Sequence, residues 1–315
     1  MKMFNPREHS STIPDNAIAP SYAAIHPIRM KAPGTCGELA QGEIDGCDFL
    51  VNCPINLFSH ATIEQAIALG VDVRDAAHHT KICNAVALYA QEHGLSLAHK
   101  ISIDSAIPRG KGMASSTADI TAALSAVCRS FDRSLSPEAF ASLIATVEPS
   151  DCVHFPGVAH VNHLTGELLG IWQAPQNLRI IVVDCGGEVD TISFDRECAR
   201  HVYRKNQPIV YRLLERLRHS LQDGDIAAIG EAATESAELS QQIHPKPQFD
   251  DLRSLTQGLG ALGVNCAHSG TVLGVLYQAN NDLRDTLLRG IEHQFGSDLA
   301  VLGDFALIGG GCSEA

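Results

Sequence analysis

The stretch Pro108-Arg-Gly-Lys-Gly-Met-Ala-Ser-Ser-Thr117 decides the fold of this 315-residue chain. It follows an alternating segment, 100–104, that predicts a strand. It precedes a segment rich in Ala, Leu and Val, 115–131, that predicts a buried helix. The two glycines of the stretch let the backbone turn tightly and approach a ligand without a Cβ clash. A helix starting at Ser115 would direct its free N–H groups and the positive end of its dipole at the loop. The sequence therefore predicts an anion site, best suited to a phosphate.

Two kinds of side chain in the loop 108–117 suit phosphate chemistry. A serine hydroxyl at this point can ligate Mg²⁺, and Lys111 can neutralise negative charge. The spacing is not that of Walker A, which needs G-x-x-x-x-G-K-[ST]. A plain glycine-rich loop with a serine as helix cap is the alternative that these residues leave open.

Two further segments combine unusual backbone with polar side chains. The first, 31–42, places Glu38 and Gln41 among apolar residues beside glycines, and such polar groups often bind a ligand. A turn leading into a hairpin explains that segment equally well. The second, 263–274, predicts two strands joined by a turn of small residues that can pack closely under another loop or a phosphate. His268 in that turn is, taken alone, more typical of a hydrogen-bonded structural histidine than of a catalyst.

Composition excludes several classes of protein. The chain has 36 acidic and 23 basic side chains and a net charge of −13, whereas a general nucleic-acid surface needs a basic footprint. The longest apolar runs, such as 178–183, are well short of the roughly 18 residues of a membrane span. The first 27 residues lack the apolar core of a signal peptide. We therefore expect a cytoplasmic protein with ten reduced cysteines, none spaced for a zinc ribbon or a redox pair.

The chain divides into a tail and two lobes. Residues 1–26, which are rich in Pro and Ser and lack periodicity, predict a flexible tail. We place the lobe boundary in the loop 174–177, which gives lobes of residues 27–175 and 176–315. Interleaved strands and helices in both halves predict an α+β fold. The predicted strands are 48–52, 58–63, 100–104, 158–163, 167–172, 178–184, 264–267, 272–277 and 304–308, and the predicted helices are 80–94, 115–131, one from 136, 195–221, 225–243, 249–262 and 281–294.

Taken in order, the three motif segments resemble those of the GHMP kinase superfamily. Residues 108–116 fit that family's phosphate loop, Pro-x-Gly-x-Gly-Leu/Met-Gly/Ala-Ser-Ser, at every fixed position, and Ala32-Pro-Gly34 fits the start of its first motif. The resemblance spans roughly residues 28–310. It implies a two-lobed GHMP kinase fold with a ribosomal-S5-like N-terminal lobe, a ferredoxin-like C-terminal lobe and ATP bound between them.

Shorter motifs resemble the bacterial L-threonine kinase branch of cobalamin biosynthesis. They are Cys36-Gly-Glu-Leu-Ala-Gln-Gly42 with the later Cys53-Pro54, Glu148-Pro-Ser-Asp151, and Ala267-His-Ser-Gly270, which departs from the glycine-richer form of the wider family. The resemblance implies direct in-line transfer from ATP to the hydroxyl of L-threonine. The product would be O-phospho-L-threonine for the cobalamin side chain. Serine, homoserine or an isoprenoid alcohol as acceptor, or a non-catalytic sensor of ATP and a metabolite, are the alternatives.

The resemblance also implies roles on the nucleotide side. Mg²⁺ would be held by Ser116 and Glu148, Asp151 would be the base or orienting carboxylate, and Lys111 would neutralise charge. Since Glu148 and Asp151 are three residues apart, their roles are interchangeable, and both would otherwise simply cap a helix end and a turn. The ATP-binding residues would be Pro108, Arg109, Gly110, Lys111, Gly112, Met113, Ala114, Ser115, Ser116 and Thr117.

Partners follow from the same chemistry. ATP and a small amino acid or alcohol are expected, without nucleic acid or membrane, and a homodimer is an open alternative to a monomer. An amino-acid acceptor needs a carboxylate for its ammonium group, for which Glu38 is the candidate, and a donor such as Arg29 or Lys31 for its carboxylate. The predicted substrate contacts are Glu38, Gln41, His268 and Ser269.

Overall fold

The computed structural model describes residues 27–66, 69–72, 76–187 and 195–315, so the predicted tail 1–26 lies outside the described residues. The strands are β1 Ile28–Ile44, β2 Cys47–Gln65, β3 Gly70–Asp72, β4 His99–Ser105, β5 Val158–Asn162, β6 Glu167–Trp172, β7 Leu178–Asp184, β8 Gly263–Cys266, β9 Val272–Gln278, β10 Ala300–Ala306 and β11 Ser313–Glu314. The helices are α1 Ala76–His93, α2 Ser115–Ser130, α3 Pro137–Ala145, α4 Arg196–Lys205, α5 Gln207–Asp223, α6 Ile226–Ser240, α7 Phe249–Gly258 and α8 Asn281–Phe295, followed by a short 3₁₀ turn at Gly296–Asp298.

One mixed sheet connects both halves of the α+β fold. Its order is β10-β7-β9-β8-β1-β2-β4-β3, with β5 and β6 added beside β2 and β11 beside β1. Strands of the second half join those of the first where β8 meets β1, and Glu38 is the β1 residue that pairs with Cys266 there. The predicted boundary loop 174–177 falls between β6 and β7. The pair at Glu38 is therefore one of the places where strands of the two halves meet, together with the β1–β11 pair and the bridge between Ile55 and Leu307.

Helix α2 lies at the centre of the first lobe. Thirteen of its 16 residues are buried, because its small Ala, Ser and Thr side chains let it pack closely against β1 and β2. The predicted buried helix 115–131 is confirmed. None of the described helices combines the length and apolar character that crossing a bilayer requires.

Three predicted elements are divided or merged in the structure, for local reasons. The helix predicted over 195–221 is divided at Asn206 into α4 and α5, because Pro208 lacks a backbone N–H and its ring clashes with the preceding turn. The strands predicted at 48–52 and 58–63 are parts of one strand, β2. Pro54 is accommodated inside it, opposite Thr35, because the register with β1 shifts on both sides of that pair.

Candidate active site

The three motif segments of the sequence pack against one another. The Thr35 N–H donates to the Met113 carbonyl at 3.1 Å, and the Thr271 N–H donates to the Lys111 carbonyl at 3.0 Å. A Cβ on Gly270 would lie only 2.4 Å from that Lys111 oxygen. The loop 108–117 is thus clamped between the first and third motifs, and the close packing predicted for the small residues of 263–274 is confirmed.

The N-terminus of α2 is left open by this loop. Ala114, the residue before the helix, has φ 59° in the left-handed region, and its side chain makes no capping hydrogen bond. The serine-cap alternative is therefore wrong, since the capping position is Ala114. Ser116 lies in the first turn, and its Oγ is buried without a hydrogen-bond partner among the described residues. Free helix N–H groups and an unpartnered hydroxyl together suit an anion with its metal ion.

A cleft with a volume of about 220 Å³ lies above this helix end. Both lobes contribute to its walls, because β1 and β2 meet α4 and the third motif there. Its lining residues are Glu38, Gln41, Asp48, Leu50, His78, Lys81, Gly110, Gly112, Met113, Ala114, Ser115, Ser116, Thr117, Glu148, Pro149, Ser150, Asp151, His163, Arg196, Ala199, Tyr203 and Ser269. Most of the predicted site residues are therefore brought together.

The predicted metal ligands fit Mg²⁺. Glu148 receives a hydrogen bond from Lys81 Nζ on Oε2 at 2.6 Å, while its Oε1 is buried without a partner in the described part of the chain. That oxygen and the Ser116 hydroxyl are hard oxygen donors, which Mg²⁺ prefers, and Mg²⁺ usually takes few protein ligands. No group of three His, Cys, Asp or Glu side chains within the described ranges is placed to hold a metal ion. A mixed site of two protein oxygens, phosphate and water is the arrangement that these residues suit.

Asp151 lies in the cleft beside two other carboxylates. Burial is the main cause of a rise in the pKa of Asp151 to about 8, and the charges of Glu38 and Glu148 raise that pKa further. A carboxylate with such a pKa has a high affinity for a proton. The raised pKa therefore suits Asp151 to accept a proton from a substrate hydroxyl.

Glu38 is held from behind by His268. Glu38 Oε2 accepts hydrogen bonds from the His268 backbone N–H at 3.0 Å and from His268 Nδ1 at 2.9 Å. The His268 side chain is 1% exposed and does not line the cleft, whereas Glu38, Gln41 and Ser269 do. Burial lowers the pKa of His268, but the nearby Cys266 thiol and the Glu38 carboxylate outweigh burial and raise it to about 10. The predicted substrate contact at His268 is thus placed one layer behind the cleft.

Lys111 and Arg109 pair with carboxylates and do not line the cleft. Lys111 Nζ lies 2.7 Å from Asp184 Oδ2 and donates to the Gly187 carbonyl at 2.6 Å. Arg109 lies 3.6 Å from the buried Asp119. Of the ten loop residues predicted to bind ATP, Pro108, Arg109 and Lys111 do not line the cleft, and the other seven do. A phosphate bound at this loop would therefore meet backbone and hydroxyl groups more than the loop's cations.

Besides Leu50, Pro149, Ser150, His163 and Ala199, five side chains of the cleft have no counterpart in the sequence-based prediction. His78 and Lys81, three apart on α1, reach Asp119 and Glu148 respectively. The others are Asp48, which Arg200 pairs at 2.6 Å, and Arg196 and Tyr203 on α4. The i, i+3 spacing of His78 and Lys81 places them on one face of a helix, and this spacing could have indicated that they belong to the site. The others depend on α4 crossing the first lobe, which no local pattern indicates.

Arg29 and Lys31, the sequence-based candidates for binding an acceptor carboxylate, do not line the cleft, whereas Arg196 does. Arg29 lies 3.7 Å from Asp104, and Lys31 Nζ sits 5.0 Å from the centre of the Phe58 ring, and neither lines the cleft. Arg196 lines it, and its guanidinium has no ion-pair partner in the described part of the chain.

Comparisons with known proteins identify a family and a fold that the chain shares. The model of the GHMP kinases N terminal domain matches residues 80–155, and that of the GHMP kinases C terminal matches residues 213–293. The L-threonine kinase of Citrobacter freundii is 31% identical over 252 residues, covering 79% of this chain and 86% of that protein. The L-threonine kinase of Salmonella typhimurium is 29% identical over 251 residues, with coverages of 78% and 81%. The crystal structure of homoserine kinase from Cytophaga hutchinsonii matches with a TM-score of 0.72 at 16% identity, covering 92% of this chain and 97% of that one.

Proposed function

Because the chain belongs to the GHMP kinase family, we propose that it transfers the terminal phosphoryl group of ATP to the hydroxyl of L-threonine, giving ADP and O-phospho-L-threonine. The main support is the meeting, in one cleft, of an open helix end, the unpartnered Ser116 hydroxyl and the carboxylates Glu148 and Asp151. The two relatives named L-threonine kinase favour threonine as acceptor. As the motif resemblance implies, we assign the product to the side chain of cobalamin.

The loop 108–117 and the start of α2 bind the phosphates in this proposal. The backbone N–H groups that follow Ala114 face the cleft and offer donors to phosphate oxygens without reorganisation. Ser116 Oγ and Glu148 Oε1 would hold Mg²⁺, which, when bound, neutralises charge on the phosphate oxygens. Lys81, already paired with Glu148, adds a positive charge at the same end of the cleft.

Asp151 receives the proton of the acceptor hydroxyl. The hydroxyl oxygen forms a bond to the γ-phosphorus while the bond from that phosphorus to the bridging oxygen of ADP breaks. The proton released from the hydroxyl passes to the Asp151 carboxylate, whose raised pKa favours this transfer. A second carboxylate, Glu38, lies near enough for its charge to contribute to the raised pKa of Asp151.

The acceptor subsite offers opposite charges to an amino acid. Glu38 can bind the ammonium group, and Arg196 can bind the carboxylate through its planar guanidinium. Tyr203 completes this end of the cleft with a buried hydroxyl that has no hydrogen-bond partner among the described residues. A neutral isoprenoid alcohol would leave these charged groups unpaired, which disfavours it as acceptor.

An ADP-release assay tests the proposal directly. Purified protein with ATP and Mg²⁺ is incubated with each of the twenty amino acids, homoserine and mevalonate, and the phosphorylated product is identified by mass spectrometry. We expect L-threonine to have the highest kcat/KM. Serine or homoserine as the better acceptor would contradict the substrate while leaving the kinase chemistry in place. ATP binding by calorimetry without ADP formation for any acceptor would identify a sensor instead.

A further inference from the structure

The contact between His268 and Glu38 links the third motif to the acceptor end of the cleft. Two donors of His268, the backbone N–H and Nδ1, converge on the same oxygen, Glu38 Oε2, at 3.0 and 2.9 Å. The other oxygen, Oε1, receives no hydrogen bond within the described ranges, and Glu38 lines the cleft. One edge of the carboxylate is therefore fixed by protein, and the other is left for a ligand.

The imidazole itself is fixed by a second contact. His268 Nε2 lies 3.2 Å from Ser236 Oγ, and that hydroxyl oxygen also accepts the Gln41 backbone N–H at 3.2 Å. The Ser236 hydroxyl can donate to a neutral Nε2 or accept from a protonated one. In either case Nδ1 carries the proton, so it donates to Glu38. The ring therefore holds the carboxylate in one orientation whatever its charge.

The fixed orientation of the Glu38 carboxylate affects two other groups in the cleft, namely the Asp151 carboxylate and any ligand that binds to Glu38. Asp151 is close enough for the Glu38 charge to raise its pKa, so two acidic groups share this end of the cleft. A ligand that brings a positive charge to Glu38 would relieve the repulsion between them. If the Glu38 side chain could rotate freely, binding the positively charged ligand would cost the entropy of ordering that side chain.

We propose that His268 is a positioning residue, which holds Glu38 by Oε2 so that Oε1 receives the α-ammonium group of the amino-acid acceptor. This inference rests on the proposed function. It assigns to His268 no contact with substrate, because the ring is buried behind Glu38 and does not line the cleft. The chain thereby uses a motif of the second lobe to set acceptor specificity in the first.

The test combines variants with acceptors that differ in one group. His268→Leu removes the Nδ1 donor, His268→Asn keeps a donor near its position, and Glu38→Gln removes the charge. Each is assayed with L-threonine and with 3-hydroxybutanoate, which lacks the ammonium group, and L-threonine binding is measured by calorimetry. We expect His268→Leu to raise the KM and Kd for L-threonine about 10- to 100-fold, with the KM for ATP within about twofold. His268→Asn should recover most of this loss.

The decisive result is the loss of additivity. In the Glu38→Gln background, and with 3-hydroxybutanoate as acceptor, His268→Leu should have no further effect on KM, since the ring acts only through the carboxylate and its ammonium ligand. A KM increase that is equal for both acceptors, or that adds fully to that of Glu38→Gln, overturns the proposal.

Two outcomes separate this inference from the proposed function. If the wild-type protein phosphorylates L-threonine and His268→Leu leaves its KM unchanged, the positioning role fails and the function stands. If no amino acid is phosphorylated by wild type, both fail. Should His268→Leu not fold, as thermal unfolding would show, Ser236→Ala is the second variant. It removes the partner of Nε2 and should give the same pattern at about threefold to tenfold, and an unchanged KM there overturns the proposal.

Discussion

The Ser116 hydroxyl is a buried polar group at the open end of α2 without a partner among the described residues. Leaving such a group unpaired costs free energy, so its position is explained best by a ligand that completes it. We expect Ser116→Ala to lower kcat by about 10²- to 10³-fold, because a contact that strengthens in the transition state is lost.

The control for this variant is Ser125→Ala, which removes a buried hydroxyl of the same helix that does not line the cleft. Steady-state kinetics at saturating ATP and Mg²⁺ measure both, and circular dichroism confirms folding. Wild-type turnover in Ser116→Ala would show that the loop does not hold the transferred phosphate.

Glu148 and Asp151 can be assigned separate roles by their responses to Mg²⁺. Glu148 has a buried free oxygen and a lysine partner, whereas Asp151 has a raised pKa. We expect Glu148→Gln to increase the Mg²⁺ concentration needed for half-maximal rate by at least tenfold. Asp151→Asn should leave that concentration within about twofold and lower kcat by about 10²- to 10⁴-fold. Mg²⁺ titrations of the initial rate measure both, and the opposite pattern would exchange the two roles.

At the scale of single residues, the sequence correctly predicts that a side chain reaches the cleft when the local backbone sets the direction of that side chain. Ser116 follows a left-handed residue at a helix start, so its direction is set locally. The motif resemblance implies that Lys111 neutralises phosphate charge, but a lysine side chain is long and rotates freely, and its partner Asp184 lies on a distant strand of the second half. Local pattern carries no information on that partner.

At the scale of elements, the pair Lys111–Asp184 connects the loop 108–117 to the end of β7. Asp184 also accepts from Thr271 Oγ1 at 2.6 Å, so it joins the loop to the third motif as well. Because both charged groups are largely buried, we expect Lys111→Met to reduce the free energy of unfolding by about 1.5–3 kcal/mol. The KM for ATP should change far less than in a variant of the cleft.

Urea unfolding of Lys111→Met, Asp184→Asn and the double variant measures this coupling. The loss of unfolding free energy in the double variant should be smaller than the sum of the losses in the two single variants, since each single substitution removes the same contact. Full additivity, or a kcat loss as large as that of Ser116→Ala, would show that Lys111 acts on the phosphate after all.

The variant Gly112→Ala tests whether the loop 108–117 must pack closely against the third motif. A Cβ there would lie 2.5 Å from the Ala267 Cβ, and φ is +76°. Gly46 has a similar φ of +84° with nothing within 4 Å, so Gly46→Ala carries the backbone strain alone, about 1–2 kcal/mol. We expect Gly112→Ala to cost a further ~1–3 kcal/mol from overpacking and to weaken ATP binding measurably in calorimetry. Equal stability losses in the two variants would mean that the loop can move away without consequence.

At the scale of the whole molecule, local order was predictable and lobe docking was not. The sequence patterns of β7, α2 and the β5–β6 hairpin indicate their elements directly, because β7 and α2 are continuous segments of apolar or small residues that are buried almost throughout, and turn residues separate β5 from β6. The position of α4 across the first lobe depends instead on contacts such as Arg200 with Asp48, between residues far apart in the chain. Arg196 and Tyr203 therefore enter the site only once the two lobes are assembled.

Buried histidines make the stability of the assembled molecule depend on pH. His154 lies against Phe140 and Phe155, and neither of its ring nitrogens has a hydrogen-bond partner among the described residues. The same holds for His160, which packs edge-on against Phe49. Burial lowers the pKa of His154 to about 3. Burial also lowers the pKa of His160 to about 4, with Arg218 lowering it further and Glu215 opposing.

The sign of the effect follows from proton uptake on unfolding. An unfolded histidine has a pKa of about 6.5, so the unfolded chain binds protons that the native chain refuses as the pH falls below that value. Each histidine thus contributes stability that is present above about pH 6.5 and is lost toward pH 4, at about 1.4 kcal/mol per pH unit. We expect His154→Leu and His160→Leu each to flatten the pH dependence by about one proton between pH 6 and pH 5. Urea unfolding at several pH values measures the slope of unfolding free energy against pH, and His293→Gln, at an exposed histidine, is the control. A slope equal to that of wild type in both leucine variants would show that the two rings are already protonated in the native protein.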